Sequence, residues 1–512
     1  MDMNTIYLGD CLSVLRENIP DESVDLIYID PPFNSKRNYN IFFDDKQIHS
    51  QRVAFEDTWS LKNIQDSLTD LHTMQNENLW SLLIVYQKVA PHAFPYLVMM
   101  SLRLVELHRA LKPTGSFYLH CDSSMNHYLR TVCDIIFGEQ YFRNEIIWKR
   151  TFNSGSSKSI SQKFPANSDT IFYYTKSSEF TFNRFMRPYA AGALKRYDKE
   201  DEHGRFMWVP LKTVSKERLA ALRKSGEIRD EPDLKYPRYK KYFDSTKGPL
   251  VDNIWTDIEQ MPTRGEGERL GYPTQKPKAL LDRIISTSSN EGDVVLDAFC
   301  GCGTTIDAAE GLHRKWIGID ISPLAISLIK RRLQHAYKKG LSKFEVRGIP
   351  TDENSAMKLW KENPFAFQDW WISEFEVFSS TYGTKGADKG VDGIGLYALD
   401  NKGATLRAAF QVKGGETVQS KDIDALLGAM EKHKCEMGVF LTAAEPTKPM
   451  LETVAGAGFV KVPGFEFPKL QILTLKEYFA NKQLKLPATN ITFKAAQHTG
   501  KQKKGQGDLE LE

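Results

Sequence analysis

At 512 residues the chain exceeds a single ordinary core, so two or more domains are expected. Its 68 basic against 65 acidic residues leave a net charge of +3, which excludes a global cationic field, so any nucleic-acid surface must be a local patch. No apolar run is long enough to span a bilayer and the N-terminus carries neither a basic leader nor an apolar signal core, which predicts a soluble, cytoplasmic chain with no membrane partner. The six cysteines (Cys11, Cys121, Cys133, Cys300, Cys302, Cys435) form no CxxC, which predicts reduced, buried thiols without a metal cage.

Residues 5–8 read as a short strand ending in Gly9-Asp10-Cys11, followed by a helix through Val14 and Leu15 that stops near Pro20. The run 24–29 has the length and β-branched content of a buried strand and ends in Asp30-Pro31-Pro32-Phe33. Two successive prolines fix φ and lack N–H groups, so the chain leaves the sheet as a stiff loop with free carbonyls. A carboxylate and a carbonyl there can accept hydrogen bonds from an exocyclic amine while Phe33 stacks on the ring that bears it. Strand, helix and strand in this order predict a parallel sheet with Asp10 and Asp30 on one rim.

Residues 34–59, with Lys36, Arg37, Tyr39, Phe42 and Phe43, are expected to form a long loop over that rim. A helical stretch over 79–111, a strand at 116–120, a helix over 125–137 and strand-like runs at 144–148 and 169–174 follow. From 176 to 269 the periodicity fades and Arg, Lys, Tyr and Trp interleave (Arg184, Arg187, Tyr189, Lys195, Arg196, Lys235, Tyr236, Arg238 among them). Cations for phosphates and flat rings for bases fit a DNA-recognition insert.

Regular structure returns at 272–277 and a helix over 278–287. Residues 293–299 read as a buried strand, Cys300-Gly301-Cys302-Gly303-Thr304-Thr305 as a glycine turn opening a helix, and 316–320 as a strand ending in Asp320 before a helix over 323–333. Glycines admit a ligand close to the backbone, and an acid closing the following strand can hold ribose hydroxyls. The pattern is F-x-G-x-G, neither the longer dinucleotide fingerprint nor a Walker loop with its lysine, so NAD and ATP fit less well.

With these motifs in place, residues 1 to about 340 resemble a β-class DNA amino-methyltransferase, most closely the modification subunits of type III restriction systems. The resemblance runs through "YLGDCL", "DLIYIDPPFNSKRNYN", "GSFYLHCD", "FRNEIIWKR", "YPTQKP" and "DAFCGCGTT". It implies a Rossmann-like α/β sheet and S-adenosylmethionine as cofactor. Asp297, Phe299, Gly301, Gly303 and Thr304 match the family's cofactor loop and Asp320 its ribose-binding acid. Asp10 and Cys11 match the stretch beside the adenine, and Thr274, Gln275 and Lys276 the segment over the methionine moiety; Tyr39 and Lys149 are weaker candidates. Asp30, Pro31, Pro32 and Phe33 match the catalytic motif, which acts on a base flipped out of duplex DNA without a cysteine nucleophile. Aspartate at its first position favours adenine N6, with cytosine N4 as the alternative. The family also implies a homodimer, and the type III likeness a helicase-nuclease restriction subunit as partner in the bacterial nucleoid.

Beyond Gly340 the composition is polar until Pro364, where a helix through Phe375 and Phe378 is expected. Strands at 391–397 and 408–413, a helix at 423–433, a strand at 438–442 and a helix at 448–455 follow. An acid, Asp392, on one strand and Gln411-Val412-Lys413 on the next resemble Mrr-type members of the PD-(D/E)XK nuclease superfamily. The resemblance implies that Asp392 binds Mg²⁺, Lys413 polarises water, and Glu374, with Glu376 as competitor, supplies the helical acid. Gln411 stands where most of that superfamily has an acid.

The chain therefore divides into a methyltransferase catalytic part at 1–175, a recognition insert at 176–270, a cofactor-binding part at 271–340, a linker at 341–363, a restriction-endonuclease-like α/β domain at 364–490 and a disordered tail at 491–512. The alternatives are a methyltransferase whose last domain only grips DNA or a partner subunit, and a methylation-sensing binding protein.

Overall fold

The computed structural model describes residues 4–32, 38–41, 52–56, 64–73, 76–151, 164, 166–187, 192–230, 235–243, 248, 250–261, 275–375, 377–379, 391–398, 405–462 and 465–487. Two compact units emerge, residues 183–255 and the rest of the chain.

In the larger unit, β1 (Asn4–Leu8), α1 (Cys11–Asn18) and β2 (Val24–Ile29) stand as expected. A hairpin of β3 (Asn38–Ile41) and β4 (Arg52–Glu56) lies within the segment expected to be loop. After α2 (Gln65–Thr73), the helical stretch is two helices, α3 (Glu77–Val89) and α4 (Phe94–Ala110). The break falls at Ala90, which caps α3 just before Pro91, and Pro95 opens α4. Nearly every side chain of α4 is buried, because it packs under the sheet with Leu97, Leu104 and Leu107 fully enclosed. Each such leucine contributes roughly 1.5–3 kcal/mol. Then come β5 (Leu111–Cys121), α5 (Asn126–Cys133), β6 (Phe142–Lys149) and β7 (Ser168–Thr175).

The smaller unit is more regular than its sequence suggests. β8 (Lys199–Asp201), β9 (Gly204–Pro210), α6 (Lys216–Lys224), β10 (Ile228–Arg229), β11 (Arg238–Tyr242) and β12 (Ile254–Trp255) belong to it, and the first four of those strands form an antiparallel sheet in the order β10-β11-β9-β8. The cation-aromatic alternation in β11 hid its strand period: Lys240 and Tyr242 turn to one partner, Asp201, at 2.6 and 2.9 Å, while Arg238 and Lys241 stay exposed.

The chain returns through α7 (Lys278–Ser288), β13 (Val294–Asp297), α8 (Thr304–Gly311), β14 (Lys315–Asp320) and α9 (Pro323–Tyr337). The expected linker is structured: β15 (Phe344–Arg347) adds an edge strand beside β1, and α10 (Glu353–Glu362) starts from a capping box of Asp352 and Ser355. The main sheet runs β6-β7-β5-β2-β13-β14-β1-β15, parallel from β5 to β15. β1 and β2 are thus not neighbours; β13 and β14, late in sequence, lie between them. The first and later segments interleave in one Rossmann-like sheet, and the carboxyl ends of its parallel strands share a rim.

The C-terminal region packs α11 (Pro364–Ser373), β16 (Phe378–Ser379), β17 (Gly393–Ala398), β18 (Thr405–Lys413), α12 (Ser420–His433), β19 (Met437–Thr442), α13 (Lys448–Gly456), the hairpin β20 (Phe459–Val462) with β21 (Phe465–Pro468), β22 (Leu470–Thr474) and α14 (Leu475–Phe479). Its sheet runs β16-β17-β18-β19-β22, antiparallel to β18 and parallel thereafter, a mixed α/β fold. The helix expected to reach Phe378 ends at Ser373, and Phe378 is already strand. The tail at 491–512 lies outside the described residues.

Candidate active site

Four aspartates mark the shared rim: Asp10 after β1, Asp30 after β2, Asp297 at the end of β13 and Asp320 at the end of β14. All four line one cavity of about 850 Å³, together with Cys11, Pro31, Pro32, Gln275, Lys276, Phe299, Gly301 and Thr304. Gly303 shapes it from behind: its φ is +76°, and a Cβ would stand 2.6 Å from Ile329. Phe33 and Thr274 lie outside the described residues, as does the side chain of Tyr39; Lys149 closes β6 and is not among the cavity's lining.

Much of this rim is held by its own backbone. Asp320 accepts from Gly301 N and Ser322 N, each at 2.8 Å, which fixes the glycine turn against β14. Asp297 accepts from Phe299 N at 3.0 Å and from Thr305 Oγ1 at 2.5 Å. Burial pushes the Asp297 carboxyl up to about 7, above the pull of those two hydrogen bonds, and pushes Asp320 up to about 6. Asp10 caps α1 through Leu12 N and Ser13 N at 2.9 and 3.1 Å and pairs with Arg103, so it is a structural cap as well as a wall of the cavity. The Cys11 thiol is pushed up to about 12, chiefly by burial, and stays protonated.

Asp30 is different. Lys276 Nζ donates to its Oδ2 across 246 positions of sequence, with the two side chains only 10% and 15% exposed. Its other oxygen, Oδ1, is buried and has no hydrogen-bond partner among the described residues. An orphaned carboxylate oxygen costs roughly 1–3 kcal/mol or more, which marks a place kept for a donor that arrives with a ligand. Behind it runs a chain the sequence did not single out: Tyr28 Oη meets His120 Nδ1 at 2.9 Å, and His120 Nε2 meets Asp169 Oδ2 at 3.2 Å. Burial, and then the charge of Asp30, push the Tyr28 phenol well up, so it stays un-ionised. The visible signal was "LHCD" ending β5, the strand beside β2.

In the C-terminal region Asp392 N donates to Phe410 O at 2.8 Å, and Asp392 Oδ2 accepts from Val412 N at 2.6 Å, which places the carboxylate at Gln411 and Lys413. Gln411 is buried and its Oε1 has no partner among the described residues. Phe410 and Val412 face the core that holds Trp370 and Trp371 of α11, so Gln411 and Lys413, by strand alternation, face the other side. Glu374 caps the end of α11 and pairs with Lys330 of α9 at 3.6 Å; it also holds the Tyr478 phenol up, after burial. Glu376 lies outside the described residues, among which no group of three or more His, Cys, Asp or Glu is arranged to hold a metal.

Residues 24–331 match the family described as DNA methylase, and residues 372–463 the family described as restriction endonuclease. The chain is 30% identical over 262 residues to the type II methyltransferase M.EcaI of Enterobacter cloacae, covering 46% of this chain and 57% of that one. It is 28% identical over 351 residues to the StyLTI Mod subunit, a type III restriction-modification enzyme of Salmonella typhimurium, covering 61% of this chain and 50% of that one. It is 27% identical over 336 residues to the DNA adenine methyltransferase YhdJ of Escherichia coli, covering 65% and 84%. The chain thus spans about half the length of the first two. Among the described residues no helix is long and apolar enough to cross a membrane.

Proposed function

Since the chain belongs to the DNA methylase family, we propose that it transfers a methyl group from S-adenosylmethionine to the N6 amine of adenine in duplex DNA. The observation that carries this is the split carboxylate of Asp30, one oxygen held by Lys276 and the other an unpartnered acceptor inside the cavity. The rim fits the cofactor: the Gly301 turn admits close approach, and Asp320 and Asp297 supply carboxylates for ribose hydroxyls and for a cationic ligand. The cofactor supplies an electrophilic methyl on a sulfonium.

An aromatic amine is a weak nucleophile because its lone pair is delocalised into the ring. Asp30 Oδ1 and the Pro31 carbonyl accept its hydrogens and return electron density to nitrogen, with Lys276 fixing the carboxylate's orientation. With the cofactor bound, the amine nitrogen would take the methyl while the sulfur departs as a neutral thioether, and Asp30 would accept the proton that the amine gives up. This chemistry needs no cysteine nucleophile, and Cys11 in the cavity wall is a buried thiol pushed up to about 12; the base swings out of the helix to reach the cavity. The relative named as an adenine methyltransferase and the aspartate at position 30 both favour adenine over cytosine N4. Purified protein, labelled S-adenosylmethionine and duplex DNA, followed by nucleoside analysis, tests this: N6-methyladenine supports it, and N4-methylcytosine alone corrects the base.

For the C-terminal domain we propose Mg²⁺-dependent cleavage of unmethylated DNA. Asp392 and the orphaned Gln411 Oε1 offer hard oxygen donors beside Lys413, and Mg²⁺ there would lower the pKa of water and offset charge on the phosphate. Glu374, committed to Lys330, favours the second reading, a domain that grips DNA or a partner restriction subunit. The 183–255 unit, with Arg238 and Lys241 exposed, is the proposed sequence reader. A homodimer acting on the nucleoid in the cytoplasm is consistent with these roles.

A further inference from the structure

The cofactor cavity has a wall that neither family match includes. Leu359 of α10 and Asn363, Phe365, Ala366 and Asp369 around the start of α11 line it, in the same cavity as the rim residues Asp320 and Ile321. These helices lie between the matched segments 24–331 and 372–463. Phe365 is 58% exposed and Ile321 61% exposed, two large apolar side chains open to water in the same cavity. Exposing both costs burial free energy that a flat, apolar-faced ligand would recover.

Resting on the cofactor reading above, we propose that the α10–α11 corner is part of the S-adenosylmethionine site, with Phe365 and Ile321 together covering the adenine ring. The same corner belongs to the C-terminal core. Trp370 and Trp371 of α11 are fully buried there with Phe410 and Val412, the strand that carries Gln411 and Lys413. α11 is also tied to α9, which starts two residues after Ile321: Ser327 Oγ donates to Ser373 O at 3.1 Å, and Lys330 pairs with Glu374 at 3.6 Å. A ligand held by Phe365 therefore braces the helix on which the nuclease-like sheet is built. Cofactor occupancy and order in the C-terminal domain are coupled, and by linkage each raises the other.

The test uses the full chain and S-adenosylhomocysteine as probe. Its dissociation constant is measured for wild type, Phe365→Ala, Phe365→Tyr and Phe459→Ala, the last an exposed C-terminal phenylalanine outside the cavity. Phe365→Ala should bind about tenfold more weakly, Phe365→Tyr within about twofold of wild type, and Phe459→Ala unchanged. Saturating probe should slow amide hydrogen exchange across residues 353–373 in wild type and not in Phe365→Ala. Equal affinity of wild type and Phe365→Ala overturns the proposal while leaving the cofactor reading intact. Absence of binding to wild type overturns the cofactor reading, and this proposal with it.

Discussion

Replacing Asp30 by alanine removes more than an acceptor, because it takes away the carboxylate to which the Lys276 ammonium, 10% exposed, donates. Breaking one side of a buried ion pair costs roughly 3–5 kcal/mol, and a cavity that admits water brings the figure toward the lower end. For a chain of this size that is a fall in Tm of roughly 3–5 °C. Lys276→Met should cost a similar amount, since it strips the last partner from a carboxylate whose Oδ1 already has none. The double variant Asp30→Ala/Lys276→Met removes both charges and should regain about half of the summed loss, giving a coupling of roughly 3 kcal/mol, the top of the range for contacting residues. Thermal unfolding of the four proteins at one pH measures it. Stability would return in the double variant but methyl transfer would not, because the acceptor of the amine hydrogens is gone. A double variant destabilised by the sum of the singles would refute the pairing, and with it the claim that Lys276 fixes the orientation of Asp30.

Binding of S-adenosylmethionine should weaken as pH falls through about 7 and then about 6, by up to about tenfold per unit, as Asp297 and Asp320 take up protons and cease to attract a cation; calorimetry between pH 5.5 and 8 reads this, and a flat profile contradicts it. The same raised values mean that in the free protein these carboxyls contribute stability that is present below their ordinary value of 3.8 and lost as pH rises to about 7. Exchanging residues 183–255 for the matching unit of a relative should move the methylated sequence while transfer persists; an unchanged sequence would remove that unit as the reader. Asp392→Ala and Lys413→Ala should each abolish Mg²⁺-dependent cleavage of unmethylated DNA and leave methylation within about twofold. Equal integrity of that DNA with wild type and Asp392→Ala, with and without S-adenosylmethionine and ATP, would leave the gripping role.

The rim was legible because a buried apolar run that stops at an acid puts that acid at a strand's carboxyl end, and Asp30, Asp297 and Asp320 each close such a run. Strand order was not legible: β1 pairs with β14 and β15, partners more than 300 residues away, and no local pattern encodes that choice. Nor was the partner of a charge. Lys276 reached Asp30, Glu374 turned to Lys330, and Lys240 went to Asp201, each settled by packing between distant elements. The linker misled because α10 is short and half-exposed, so its apolar positions are few and its capping box is the stronger local signal. β11 misled because alternating lysine and tyrosine reads equally as an irregular basic loop and as a strand with one face turned inward.

Modified-base sequencing of genomic DNA from a methylation-free bacterial host expressing the full chain tests the central claim most directly. N6-methyladenine is expected at one short recurring sequence, absent when Asp30→Ala/Lys276→Met is expressed to the same level. Unmodified adenine throughout, with wild-type protein present and folded, would contradict it.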